Sequence, residues 1–284
     1  MTTVMTRGPR PRPAGPGAAR HRPPVVTGAG ALLIVLLALL GPLAAPHSPT
    51  AQLGAPFQQP GGDFLLGTDV LGRDVASRVL GGGRAIVLIA TAATTVAGVF
   101  GVLAGVLAAM VSRRLGDFVV RVVDALAVLP ALLLVLVLAA GFPGSDTAVV
   151  VAVALATTPF STRVLRAAAK TVLSSGYVEV SVARGDSRWA VLRHDVLPNL
   201  AGPALMDTAL RLVASLHLTA TAGFLGLGRG GAAPNWGRMV SENAPGASLA
   251  VAPFLVPALL LVLLSVWVGL FAGRLADVVG RGAG

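Results

Sequence analysis

Six apolar stretches, at about residues 27–45, 85–111, 118–140, 146–163, 204–226 and 249–272, constrain this chain more than any other feature. A helix needs about 20 residues to cross the hydrocarbon core of a bilayer, so each stretch is adequate and the fourth barely so. Composition agrees: 55% of the residues are hydrophobic, 12% are charged, and mean hydropathy is +0.81. The expected fold is an all-α polytopic membrane protein with six transmembrane helices.

Six spans place both termini on one side, and the charges say which. One set of flanks holds Arg7, Arg10, Arg12, Arg20, Arg22, Arg113, Arg114, Arg121, Arg163, Arg166, Lys170, Arg184, Arg188, Arg193, Arg274 and Arg281. The other holds only Arg73, Arg78, Arg84, Arg229 and Arg238. The sixteen-to-five excess makes the termini and the 177–203 loop cytoplasmic. The net charge of +10 therefore reflects topology. No aromatic platform accompanies the arginines, which argues against nucleic acid as a partner.

Several chemistries are missing. The chain has no cysteine, hence no disulfide framework and no thiol nucleophile. Its single lysine, Lys170, follows three alanines, so no G-x-x-x-x-G-K-[ST] loop exists to cradle a nucleotide. The four histidines, at 21, 47, 194 and 217, have no metal-site spacing, and neither HExxH nor a serine elbow occurs. Neither cofactor nor catalytic residue is expected.

In chain order, residues 1–26 read as a disordered basic tail rich in Pro, Gly and Arg. With the run 29–45 and Ala44-Ala45 they mimic a signal peptide, but the run is long for one and further spans follow. Residues 27–84 then hold the first span and an outside segment. There Thr68 or Asp69 is the expected cap of a short amphipathic helix carrying Val70, Leu71, Val75 and Val79. The membrane domain proper is placed at 85–278.

Within it, Gly98, Gly101 and Gly105 mark span two for close helix packing. Span three carries Arg121 and Asp124 one turn apart, an expected ion pair, and Pro130 permits a kink. Span five carries a second expected pair, Asp207 and Arg211, at i, i+4, and His217 is read as a packed core residue rather than a pathway group. The Gly-rich segment 223–239 lies outside, with Trp236 as an interfacial anchor of a re-entrant turn.

The stretch Tyr177 to Pro203 is the one long interruption of the apolar pattern in the second half. Split at Gly185, it predicts two short helices, with Pro198 as a stop. Such a pair buries no core alone and must lie against the membrane surface or a partner protein.

Glu179, Gly185 six residues on, and His194-x-x-Leu197-Pro198-Asn199 resemble the cytoplasmic "EAA" loop of bacterial ABC importer permeases. Glu179-Val180-Ser181 stands for the family's Glu-Ala-Ala, and Arg184 replaces an apolar residue before the glycine. The string LGTDVLGRDVASRVLGGGR at 66–84 is similar to the dipeptide/oligopeptide/nickel group of these permeases. So are Arg121-x-x-Asp124 with Pro130, and FLGLG at 224–228 followed by Pro234-Asn235-Trp236-Gly237-Arg238-Met239. The ending at 273–277 departs, since the usual Asp-Pro is missing.

The resemblance implies a loop of coupling helices, about 174–200, that docks into separate ATPase subunits carrying the P-loops. Its residues would be Tyr177, Glu179, Arg184, Gly185, Asp186, Arg188, Arg193, His194 and Pro198. The implied extracytoplasmic signature is Gly67, Asp69, Gly72, Arg73, Asp74, Gly226, Gly228, Trp236 and Gly237. Further implied partners are a second homologous permease, an extracytoplasmic solute-binding protein and the lipid bilayer. The expected function is peptide import, with nickel or metal-chelate import as the alternative. An ion-coupled secondary transporter would favour inverted repeats and midplane ionisable groups, and neither is evident. A scaffold or receptor would leave the ordered match unexplained.

Overall fold

The computed structural model describes residues 24–230 and 233–282. The expected tail 1–26 lies almost wholly outside these residues. Ten α-helices follow in order: α1 (Pro24–Leu40), α2 (Val75–Met110), α3 (Arg113–Asp124), α4 (Ala131–Gly141), α5 (Asp146–Leu173), α6 (Gly176–Ala183), α7 (Arg188–Val191), α8 (Leu197–Phe224), α9 (Trp236–Asn243) and α10 (Ala252–Gly282). Among the described residues β-structure is limited to isolated bridges, such as Gln52–Arg73 and Thr68–Asp74 in the long α1–α2 loop.

By length and apolarity α1, α2, α5 and α10 qualify as membrane spans, and α3 with α4, bent by 79° between them, passes the same test only when the two are counted together. The remaining expected span, α8, has the length at 28 residues but is less apolar because it carries Asp207, Arg211 and His217. The all-helical polytopic fold thus stands. The span expected at 118–140, with a kink permitted at Pro130, is broken there rather than merely kinked: Leu129 is extended (ψ 133°) because the ring of Pro130 disfavours helix in the residue before it. α4 alone has 11 residues, about 17 Å, too short to cross a bilayer.

The longest helix, α2, starts ten residues before its expected span. Asp74 caps it, accepting from the backbone N–H of Ala76 and Ser77 at 3.2 and 3.1 Å. The expected separate amphipathic helix capped by Thr68 or Asp69 is therefore absent. Gly72 at φ +73° interrupts that segment, and Val75 and Val79 belong to the first turns of α2.

Small residues set the packing. A Cβ on Gly101 would come within 2.5 Å of Ser161, and one on Gly105 within 2.9 Å of the Arg166 backbone, so α2 and α5 run side by side in the same direction. α8 runs antiparallel to both, with Thr208 opposite Gly98 and Ala222 packed with Ile89. A core around Trp236 and Met239 ties α9 to α1, α2, α8 and α10. A second core, of Val106, Ala169, Val178, Val191, Val196 and Leu200, fastens α6 and α7 to the other end of the bundle. The outer faces expose Leu33, Phe100, Leu103, Val137 and Val262, an apolar surface of the kind a bilayer covers.

Candidate functional site

The loop between α5 and α8 folds as a helix, a glycine turn and a second helix. In α6, Val178 and Ser181 face the bundle and are buried, while Tyr177, Glu179, Val180 and Val182 are exposed. The helix ends in a reciprocal pair of bonds: Gly185 N–H donates to the Val182 carbonyl at 3.0 Å and Asp186 N–H to the Ser181 carbonyl at 3.1 Å. That Schellman geometry requires a left-handed residue after the cap, and Gly185 supplies it at φ +89°. Ser187 then caps α7, accepting from Ala190 N–H at 3.2 Å.

Arg184 donates to Ser181 Oγ at 3.2 Å and lies 3.5 Å from Asp186. Arg188, Trp189, Arg193 and His194 are exposed as well. A π-helical turn, Leu192–Val196, carries the chain from α7 into α8, where His194 Nδ1 lies 3.1 Å from the Ala190 carbonyl. Pro198 is not the expected stop. It sits in the first turn of α8, where its missing N–H costs nothing.

The result is a prong packed against the bundle. Its inner side is bolted to α2, α5 and the start of α8, and its outer side displays Tyr177, Val180, Val182 and Trp189 at 48–66% exposure among charged neighbours. Large apolar side chains presented this way on a packed scaffold are the kind of surface that partner proteins cover.

Ion pairs link that end to the neighbouring elements. Asp117 and Asp124 of α3 bind Arg166 and Arg163 of α5 at 2.5 and 2.8 Å. The expected Arg121–Asp124 pair does not form: Asp124 reaches across to α5, and Arg121 is exposed with no ion pair among the described residues. Asp207 and Arg211 do lie together, at 3.3 Å, and Ser161 donates to Asp207 at 2.5 Å from α5. Arg211 also stands 5.4 Å from the Phe160 ring centre. His217 is exposed on α8 rather than packed.

At the opposite end the signature residues gather around a buried charge cluster. Asp69 accepts from Arg73 Nε at 2.7 Å and lies 3.2 Å from Arg78 Nε, while both arginines reach Glu242 of α9 at 2.9 and 3.0 Å. Gly67 and Gly72, each at φ +73°, shape the loop that delivers Asp69. Gly226 and Gly228 are also left-handed, and Arg238 donates to the carbonyls of Gly226, Leu227 and Arg229. Gly237 lies against the Ala220 carbonyl.

Trp236 is not at an interface. It is fully buried, and its indole N–H donates to the Val79 carbonyl at 2.6 Å. Glu242, Arg78 and Ser161 were not singled out by sequence reasoning. A partner search would have found Glu242, because buried arginines need acids and that end has few. Among the described residues no metal-binding cluster forms.

Comparisons with known proteins follow the same outline. A family model described as "Binding-protein-dependent transport system inner membrane component" matches residues 101–279. The di/tripeptide transport system permease protein DppC of Pseudomonas aeruginosa is 35% identical over 218 residues, covering 74% of this chain and 72% of the relative. The probable D,D-dipeptide transport system permease protein DdpC of Escherichia coli is 32% identical, covering 75% and 72%. A probable peptide ABC transporter permease of Sinorhizobium fredii is 31% identical over 92% of this chain and 89% of its own. Among solved structures, a chain of the MetNI methionine ABC transporter in an inward-facing form superposes with a TM-score of 0.55. It is 20% identical and covers 68% of this chain and 94% of its own, a likeness of fold.

Proposed function

The chain belongs to the family of binding-protein-dependent transport system inner membrane components, and from that premise we propose that it is the permease subunit of an ATP-driven importer of short peptides. Peptides are favoured over a nickel chelate because the relatives at 31–35% identity carry peptide names. A P-loop ATPase would dock on the α6–α7 prong. A second, homologous permease would complete the translocation path, and an extracytoplasmic binding protein would deliver the peptide at the α9 end. The charge asymmetry supports cytoplasmic termini and a cytoplasmic prong.

One observation carries this reading. Tyr177, Val180, Val182 and Trp189 are exposed on helices too short to stand alone, yet their inner faces are buried against α2 and α5. A surface so placed moves the bundle when its partner moves.

The test is affinity purification of the tagged chain from native membranes in mild detergent. An ATPase subunit and a second permease should accompany it, and reporter fusions should place residue 180 inside and residue 235 outside. Recovery of the chain alone, with fusions of the opposite sign, would overturn the assignment.

A further inference from the structure

At the α9 end a cavity of 440 Å³ opens between α2, α5, α8 and the segment that follows α8. Small-ligand pockets commonly span about 300–1,000 Å³. Much of the wall is apolar, with Leu88, Ile89, Val149 and Leu227. Three charged residues line it: Arg84, Asp146 and Arg229. Two of them satisfy each other, since Arg229 Nε lies 3.3 Å from Asp146 and Arg229 N–H donates to the same carboxylate at 2.7 Å. Arg84 is exposed and has no ion pair or hydrogen bond among the described residues. The cavity therefore presents one uncompensated positive charge.

A second, independent polar group stands in the same wall. Thr208 and Thr221 of α8 return their hydroxyls to the carbonyl four residues earlier, at 2.7 and 2.8 Å. Thr219 lines the cavity, is 2% exposed, and has an Oγ1 with no hydrogen-bond partner among the described residues. A buried hydroxyl that forgoes its own helix carbonyl is available to a ligand.

We propose that this cavity receives the C-terminal carboxylate of the transported peptide, with Arg84 as its cationic anchor, Thr219 as a second donor and the apolar wall against the last side chain. The proposal rests on the peptide-importer reading above. An arginine fork matches a carboxylate bidentately, and in a partly apolar cavity that bond is stronger than in water. Asp146, already neutralised by Arg229, offers little to the peptide ammonium, so the cavity selects the acidic end.

The experiment uses the assembled transporter with its binding protein in proteoliposomes, importing a labelled tripeptide and the same tripeptide as its C-terminal amide. The binding protein is common to every arm, so its own preference cancels when variants are compared with wild type. Arg84→Gln should shrink the acid-over-amide preference in half-saturating concentration by about tenfold, and Arg84→Lys should recover part of it. Thr219→Val, which keeps the side-chain shape, should shrink it by a smaller factor. Assembly with the ATPase serves as the folding control. If wild type imports both peptides and Arg84→Gln and Thr219→Val leave the ratio unchanged, the site is refuted while the importer reading stands. If wild type imports neither peptide, the importer reading itself fails.

Discussion

Gly185 has φ +89° and open space where a Cβ would project, so its constraint is dihedral rather than steric. That separates two substitutions that a clash would not. Asn tolerates the left-handed region, whereas a β-branched residue there costs about 1–3 kcal/mol. Gly185→Val should therefore abolish ATP-driven import while the protein remains in the membrane, and Gly185→Asn should retain a measurable fraction. Equal transport by Gly185→Val and wild type would remove the turn from the mechanism. The glycine was legible in the sequence because a polar helix pair needs a turn between its halves. Trp236 was not. An indole beside a Gly-rich segment reads as an interfacial anchor, and its true site depends on Gly82 and Gly83, far away in the sequence. A Cβ on Gly82 or Gly83 would come within 2.6 Å of the Trp236 ring, so this glycine run is the socket for a core side chain.

At the scale of elements, local spacing predicted ion pairs well only where no other helix offered a competing guanidinium. Asp207 and Arg211 share a face and meet at 3.3 Å. Asp124 has Arg121 one turn away yet binds Arg163, because α3 lies across α5 and brings a guanidinium within 2.8 Å. Where two helices cross is a tertiary fact that a heptad-scale pattern does not contain. The same holds for the α9 end, where Asp69, Arg73, Arg78 and Glu242 come from three elements. Asp69 and Arg78 are wholly buried there. Removing one partner of a buried pair leaves an uncompensated charge, at a cost of about 3–5 kcal/mol. Arg78→Ala should accordingly lower the thermal unfolding midpoint in detergent far more than Arg114→Ala, whose side chain is exposed. Indistinguishable midpoints for the two variants would show that the cluster does not hold α9 to α2.

At the scale of the whole molecule, the prong is continuous with the bundle through Val178, Val191 and Val196, and α5 in turn carries α3 through Asp117–Arg166 and Asp124–Arg163. In the proposed importer a push on α6 and α7 would therefore reach α2, α5, the bent α3–α4 pair and α8 together, as alternating access would demand of a lever. The membrane class, the prong and a break at Pro130 were legible because hydropathy, a glycine turn and a proline are local properties; the 79° size of the bend and the ion pairs that tie α3 to α5 were not, because they depend on packing. The prong's charge also has a consequence for assembly. Arg184 is 67% exposed, with Ser181 and Asp186 as its contacts within the chain, so its charge is presented outward. A partner groove fitted to it would carry a compensating acid. Reversal then adds repulsion to the loss of attraction, whereas truncation removes attraction alone. Arg184→Glu should reduce the ATPase recovered in co-purification by about tenfold, and Arg184→Ala by about threefold, taking roughly 0.7 kcal/mol each for the attraction lost and the repulsion added at an exposed pair. Raising salt should narrow the gap between the two variants, since exposed charges are screened. Equal losses for Glu and Ala at low salt would mean that the groove reads the apolar face of the prong, Tyr177, Val180 and Trp189, and ignores its charge.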